Sequence, residues 1–225
     1  MKEICRLENV SKTYDEIEGN FIIKEINLSI NKGDFISIEG NSGTGKSTLL
    51  HLMGGILTPT SGNIFYYNTN INKLSDNKIS DLRSTKISYI LQEFSFIQSL
   101  NIKENLLFIA KINKTNNTVS IENKIDYYLK RLKIYNKKDS FPYQLSGGQK
   151  RRVMIIAAIL KDPDIIFADE PTNDLDEEIS NEIVALLKEE ICNSKAVVMV
   201  THNTEISKHI NIRYKINNGY LEQIL

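Results

Sequence analysis

Apolar residues along this chain of 225 residues fall into three kinds of run. Glu3 to Val10 alternates loosely and predicts a strand, and Phe21 to Ile30, where Ile26, Leu28 and Ile30 share a side, predicts a half-buried one. Short, continuous apolar runs occur at Phe35-Ile36-Ser37-Ile38, Ile87 to Leu91, Ile165 to Ala168 and Ala196 to Val200. Runs of that kind predict strands buried on both faces, as in a parallel sheet covered by helices. Helical spacing begins with Leu49, Leu50, Leu52, Met53 and Ile56. Further helices are predicted over Lys78 to Arg83, Asn101 to Ile112, Ile121 to Leu132 and Glu177 to Glu190. One more carries Val153, Ile156, Ala157 and Leu160 inward.

Turn-forming residues divide these runs. Ser11 to Tyr14 reads as a turn, Glu16 to Asn20 as a polar loop, and Asn31-Lys32-Gly33-Asp34 as a hairpin-like turn. Thr58-Pro59-Thr60-Ser61-Gly62 breaks the chain before a strand at Ile64 to Tyr67. Asn113 to Thr118 is a Lys/Asn-rich loop, and Asn218-Gly219 turns a hairpin between Tyr214 and Glu222. The expectation is one α/β unit. Its core, over 1–91 and 161–225, holds a parallel sheet with an amino-terminal antiparallel β region, and a helical subdomain over about 92–160 is inserted into it.

Composition narrows the classes. Hydrophobic residues reach 41%, enough for a substantial core. Lys+Arg and Asp+Glu are both 28, so the balance gives no reason to expect a nucleic-acid surface. Cys5 and Cys192 lie far apart and suggest buried or inert thiols rather than a disulfide framework or metal site. The charged start, with Lys2, Glu3, Arg6 and Glu8, leaves no room for a signal-peptide core. The longest apolar run, Val153 to Leu160, is too short to span a bilayer. These features predict a soluble, cytoplasmic chain whose membrane association comes through a partner.

The chemistry concentrates at Gly40-Asn41-Ser42-Gly43-Thr44-Gly45-Lys46-Ser47-Thr48, which fits G-x-x-x-x-G-K-[ST] between a predicted strand and a predicted helix. Glycines let successive backbone N–H groups converge on phosphate oxygens, and the helix points its positive end at the same anion. Lys46 is suited to the β- and γ-phosphates and the Ser47 hydroxyl to Mg²⁺. The strand at Ile165 to Ala168 ends in Asp169-Glu170, at the edge where parallel sheets bind ligands. Asp169 suits a direct or water-mediated metal role and Glu170 the polarisation of a water; alone, the pair would read equally well as an acidic junction. Leu145-Ser146-Gly147-Gly148-Gln149 precedes a helix, with Ser146 a candidate cap, and forms a second anion site. That site is surplus within one molecule but makes sense if it closes over a nucleotide held by another copy. Lys150, Arg151 and Arg152 read as a solvated helix face sooner than as a phosphate cluster.

Together these motifs resemble the ATP-binding-cassette ATPases, the nucleotide-binding subunits of ABC transporters. Leu145 to Gln149 is similar to that family's signature and lies between the phosphate loop and Asp169-Glu170. The resemblance implies head-to-tail dimers in which ATP sits between one phosphate loop and the partner's signature, with Ser146, Gly147, Gly148 and Gln149 as ligands. It implies that Tyr14 stacks on adenine and that Gln92 joins Mg²⁺ and the attacking water to the helical subdomain. It further implies that Asp176 belongs to a loop crossing the dimer interface and that His202 lies near the γ-phosphate. The implied cofactors are ATP and Mg²⁺, and the implied partner is a separately encoded membrane permease.

Gly54-Gly55, Pro59 to Gly62, the loop after Tyr14, Leu82-Arg83 and Asn101 to Asn105 resemble the macrolide-exporter and lipoprotein-release subfamily. That group includes antimicrobial-peptide exporters and a relative that controls cell-wall hydrolases. Asp174, Ala157 and Asn203 depart from the family pattern without removing a catalytic group. Soluble ABC ATPases of DNA repair or ribosomes usually carry two cassettes or a long coiled-coil insertion, and neither is expected in this sequence. A P-loop phosphotransferase would have no use for Leu145 to Gln149.

Overall fold

The computed structural model describes residues 2–14, 20–91, 96–112, 118–203 and 210–224. Among the described residues, two sheets organise the chain. One has four strands, β1 (Glu3–Thr13), β2 (Phe21–Asn31), β4 (Ser61–Tyr66) and β5 (Thr69–Asn70), in the order β2-β1-β4-β5, all pairs antiparallel. The other has six, in the order β10-β9-β3-β8-β7-β6. Its strands β9 (Ile212–Asn217), β3 (Phe35–Glu39), β8 (Ala196–Val200), β7 (Ile165–Asp169) and β6 (Ile87–Ile90) run parallel, and β10 (Tyr220–Gln223) closes one edge antiparallel. Among the described residues the α-helices are α1 (Lys46–Met53), α2 (Asp76–Lys86), α3 (Ile102–Lys111), α4 (Thr118–Arg131), α5 (Gly147–Leu160) and α6 (Glu177–Cys192).

The continuous apolar runs have a physical origin. Side chains on a strand alternate faces, so a strand covered on both sides needs apolar residues at every position. In β7, Ile165 and Phe167 face one core while Ile166 and Ala168 face the other. In β8, Ala196, Val198 and Val200 join the first core and Val197 and Met199 the second. The first core lies between the two sheets and around α1, and the second lies under α3 to α6. Each fully buried Ile, Val or Leu contributes about 1.5–3 kcal/mol. Helix α5 is buried all round, from Val153 to Leu160, rather than on the single face expected from its spacing.

Most predicted elements are present, but Ser11 to Thr13, expected in a turn, continue β1. The hairpin-like turn at Asn31–Asp34 is not a hairpin: β2 and β3 belong to different sheets, and the turn carries the chain between them. Asp34 stabilises it by accepting from the Asn31 backbone N–H at 2.6 Å. The helix expected over Lys78 to Arg83 is longer, starting at Asp76 and ending at Lys86. Cys5 is buried, and desolvation pushes its thiol up to about 12, whereas Cys192 is exposed. The loops expected at Glu16–Asn20 and Asn113–Thr118 fall largely outside the described residues. Among the described residues, no helix is long and apolar enough to cross a membrane.

Candidate functional site

The strand order explains how distant motifs meet. Strand β8 lies between β3 and β7, and all three are parallel. The segments that follow their carboxyl ends therefore emerge side by side. Gly40 to Thr48 follows β3, Asp169 ends β7 with Glu170 directly after it, and Thr201 and His202 follow β8. They enclose a cavity of about 470 Å³ lined by Ser42, Gly43, Gly45, Lys46, Ser47, Thr48, Asp169, Glu170 and His202, with Ile22 from the antiparallel sheet. Ile22 was not foreseen, because an isoleucine in an alternating strand carries no signal of a ligand.

The loop backbone suits a phosphate. Gly43 and Gly45 have φ of 78° and 97°, a region that penalises residues with a Cβ. A Cβ at Gly45 would meet Ile22 Cγ2 at 2.8 Å. Gly45 starts α1 with no side-chain cap, so the first N–H groups of this helix lack internal acceptors. Thr44 folds the loop through its N–H and hydroxyl, which both donate to the Asn41 carbonyl. Lys46 is buried, and its ammonium donates to the carbonyls of Gly40 and Asn41, both at 2.8 Å. A cation held inside a cradle of backbone donors is an anion site in search of charge.

The opposite wall is acidic. Asp169 is 6% exposed, and its Oδ1 is buried without a hydrogen-bond partner among the described residues. An orphaned buried carboxylate oxygen is costly, and a hard divalent cation would satisfy it. Ser47 lines the same cavity, so the oxygen donors fit Mg²⁺. Glu170 is also buried, with φ of 48°, a left-handed conformation that costs a non-glycine residue about 1–2 kcal/mol. Its N–H donates to the Val200 carbonyl at 3.0 Å, anchoring it to β8. Its Oε1 lies 2.9 Å from His202 Nδ1 and its Oε2 3.4 Å from the His202 backbone N–H.

The other described residues predicted for the site do not line this cavity. Tyr14 is 60% exposed, with its hydroxyl 3.5 Å from Thr48 Oγ1 and the Lys12 ammonium 5.5 Å from its ring centre. Ser146 caps α5: its hydroxyl accepts from the Gln149 N–H at 3.3 Å, and the Gln149 side chain accepts from the Ser146 N–H at 3.0 Å. Gly147 is exposed with open space beside it, whereas Gly148 faces Leu175 and the Asp174 carbonyl. Asp176 caps α6, accepting from the Ile179 N–H at 2.9 Å. Gln92 lies outside the described residues. Arg151 and Arg152 do not form the solvated face expected of them. Arg151 donates to the Glu170 carbonyl at 3.1 Å, and Arg152 to the carbonyls of Gly148 at 3.4 Å and Leu132 at 3.1 Å. These partners belong to other segments or to the preceding helical turn, so residue spacing could not reveal them.

A parallel sheet with a glycine loop on an uncapped helix, faced by strand-end carboxylates, defines a P-loop nucleoside-triphosphatase. The ABC transporter family matches residues 23–173, and the chain belongs to it. It is an ABC ATP-binding subunit and an ATPase. The ABC transporter ATP-binding protein MJ0796 of Methanocaldococcus jannaschii is 38% identical, over 98% of this chain and 96% of that one. The lipoprotein-releasing system ATP-binding protein LolD of Rickettsia bellii is 37% identical over 97% of both. The putative hemin import ATP-binding protein HrtA of Staphylococcus haemolyticus is 32% identical over 96% and 98%. A dimeric post-hydrolysis structure of MJ0796 with ADP and phosphate superposes with a TM-score of 0.88, at 32% identity over 99% of both chains.

Proposed function

We propose that two copies of this chain close head to tail around ATP, each molecule held by the phosphate loop of one copy and the Ser146–Gln149 turn of the other. The observation that carries the reading is the facing of Lys46 and Glu170 across one cavity that Ser146 does not line. The turn at Ser146 and Gly147 is exposed and free to meet a second copy, as the dimeric MJ0796 relative suggests.

Lys46 donates to the β- and γ-phosphates, and the N–H groups at the start of α1 take the remaining oxygens. Glu170 accepts a proton from a water as the water oxygen bonds to the γ-phosphorus, and the bridging oxygen leaves with ADP. With Nδ1 protonated, His202 donates to Glu170 Oε1 and holds that carboxylate toward the water. Ser47 and Asp169 would hold Mg²⁺, which offsets charge on the phosphate oxygens when bound. Tyr14 stacks on the base, and Asp176 stands at the dimer contact. Gln92 would help to hold the Mg²⁺ and the water and so link them to the helices of about 92–160, whose movement pushes a membrane permease at the cytoplasmic face.

The transported or sensed molecule is set by that permease. LolD and HrtA carry names for different cargoes, lipoprotein and hemin, yet each aligns with nearly the whole of this chain. Export, mechanotransmission to a membrane protein, and control of a cell-wall hydrolase all use the same ATP-driven closure.

Glu170→Gln tests the chemistry. The variant is expected to bind ATP with unchanged affinity and to lose hydrolysis by about 10²–10⁴-fold. Phosphate release at the parent rate would remove Glu170 from this role.

A further inference from the structure

We propose that Arg151 is a positioning residue that ties the signature turn to the Glu170 peptide, so that nucleotide held by the partner adjusts the carboxylate acting on the chain's own nucleotide. The inference rests on the reading that Glu170 polarises water and that Ser146 to Gln149 meets the partner's ATP.

Three observations converge on one short segment. First, Arg151 lies only five residues after Ser146, within the opening turns of α5, and its guanidinium donates to the Glu170 carbonyl at 3.1 Å. Second, that carbonyl also accepts from the Asn173 N–H at 3.2 Å, so the tight turn after Glu170 and the start of α5 share one acceptor. Third, Gly148 packs against the far end of the same turn: a Cβ there would meet Leu175 Cδ2 at 3.1 Å and lie 3.7 Å from the Asp174 carbonyl. The first turns of α5 therefore grip the 170–175 segment at both ends.

Glu170 is a residue whose peptide orientation needs holding. Its φ of 48° is sparsely populated for a glutamate, and conformations of this kind persist only where the surroundings fix them. The Val200 carbonyl fixes the N–H side, while Arg151 and Asn173 fix the carbonyl side. A shift of α5 on contact with a phosphate moves the Arg151 grip, and with it the direction of a carboxylate already oriented by His202. Because Ser146 serves one nucleotide and Glu170 the other, the grip links the two shared sites. A coupling carried by one packed, hydrogen-bonded element has a typical strength of about 5–150-fold.

The test compares the parent, Arg151→Ala, Arg151→Lys and Glu170→Gln as full chains. Phosphate release is followed against Mg-ATP concentration and melting is recorded alongside. Arg151→Ala is expected to lower kcat about tenfold, leave the KM for ATP within about twofold, and reduce the Hill coefficient toward one. Arg151→Lys, which retains a donor on a flexible stem, recovers part of both. A structural role alone would lower the melting temperature while leaving kcat per folded molecule and the Hill coefficient at the parent values; that result overturns the inference. If Glu170→Gln hydrolyses ATP like the parent, the underlying reading of Glu170 fails. If Glu170→Gln is inactive while Arg151→Ala matches the parent in kcat and cooperativity, only the Arg151 inference fails.

Discussion

Helices α1 and α5 both begin in glycine-rich turns, yet their starts are built in opposite ways. Helix α1 begins at Gly45, in the left-handed region, with no side-chain cap. Helix α5 begins at Ser146, in an extended conformation, with a reciprocal cap formed by Ser146 and Gln149. The uncapped helix has a buried lysine, a cavity and facing carboxylates around its donors. The capped helix has an exposed start with open space beside Gly147. The difference teaches where each site is completed. The first concentrates backbone donors, a lysine and two carboxylates in one chain, with Glu170 held in a strained conformation. The second satisfies part of its helix start with its own cap and leaves the turn exposed, which suits the proposed ligand brought by a second copy.

The largest effect should come from removing the charge at the first helix. Lys46→Ala forfeits charge-assisted hydrogen bonds worth about 1.5–3 kcal/mol, so calorimetry should find ATP bound about 10- to 100-fold more weakly. Gly45→Ala comes next. It places a Cβ at φ 97° and 2.8 Å from Ile22 Cγ2, so denaturant unfolding should show a loss of about 1–3 kcal/mol.

The capped helix should respond more mildly. Ser146→Ala removes the acceptor for the Gln149 N–H and costs about 1 kcal/mol, a fall in Tm of about 2–4 °C for a chain of this size. Its ATP affinity as a single chain should match the parent, because Ser146 does not line the Lys46 cavity. Gly147→Ala should be the smallest change. No atom lies within 4 Å of the added Cβ, so stability should stay level or rise by about 0.5 kcal/mol in thermal unfolding. Equal losses at Gly45 and Gly147 would erase the contrast between the two turns.

The sequence made much of this legible, for identifiable reasons. Continuous apolar runs announced β3, β7 and β8 because both faces of the central sheet are covered. The phosphate loop was readable because its glycines, lysine and serine act within nine consecutive residues. What stayed hidden is set by strand order rather than by local pattern. The 2.9 Å approach of His202 to Glu170 spans 32 residues, and the Arg151 bond to the Glu170 carbonyl spans 19. The turn at Asn31–Asp34 misled for the same reason: a turn between two strands does not say whether they share a sheet. Nor did the charge pattern of Arg151 and Arg152 disclose that their donors end on backbone carbonyls.

The most direct measurement of the account is sedimentation velocity on Glu170→Gln with saturating Mg-ATP. Two chains gripping two nucleotides predict a shift from monomer to dimer that ADP does not support and that Ser146→Ala weakens. A species that stays monomeric under those conditions, with ATP bound, would contradict the shared site.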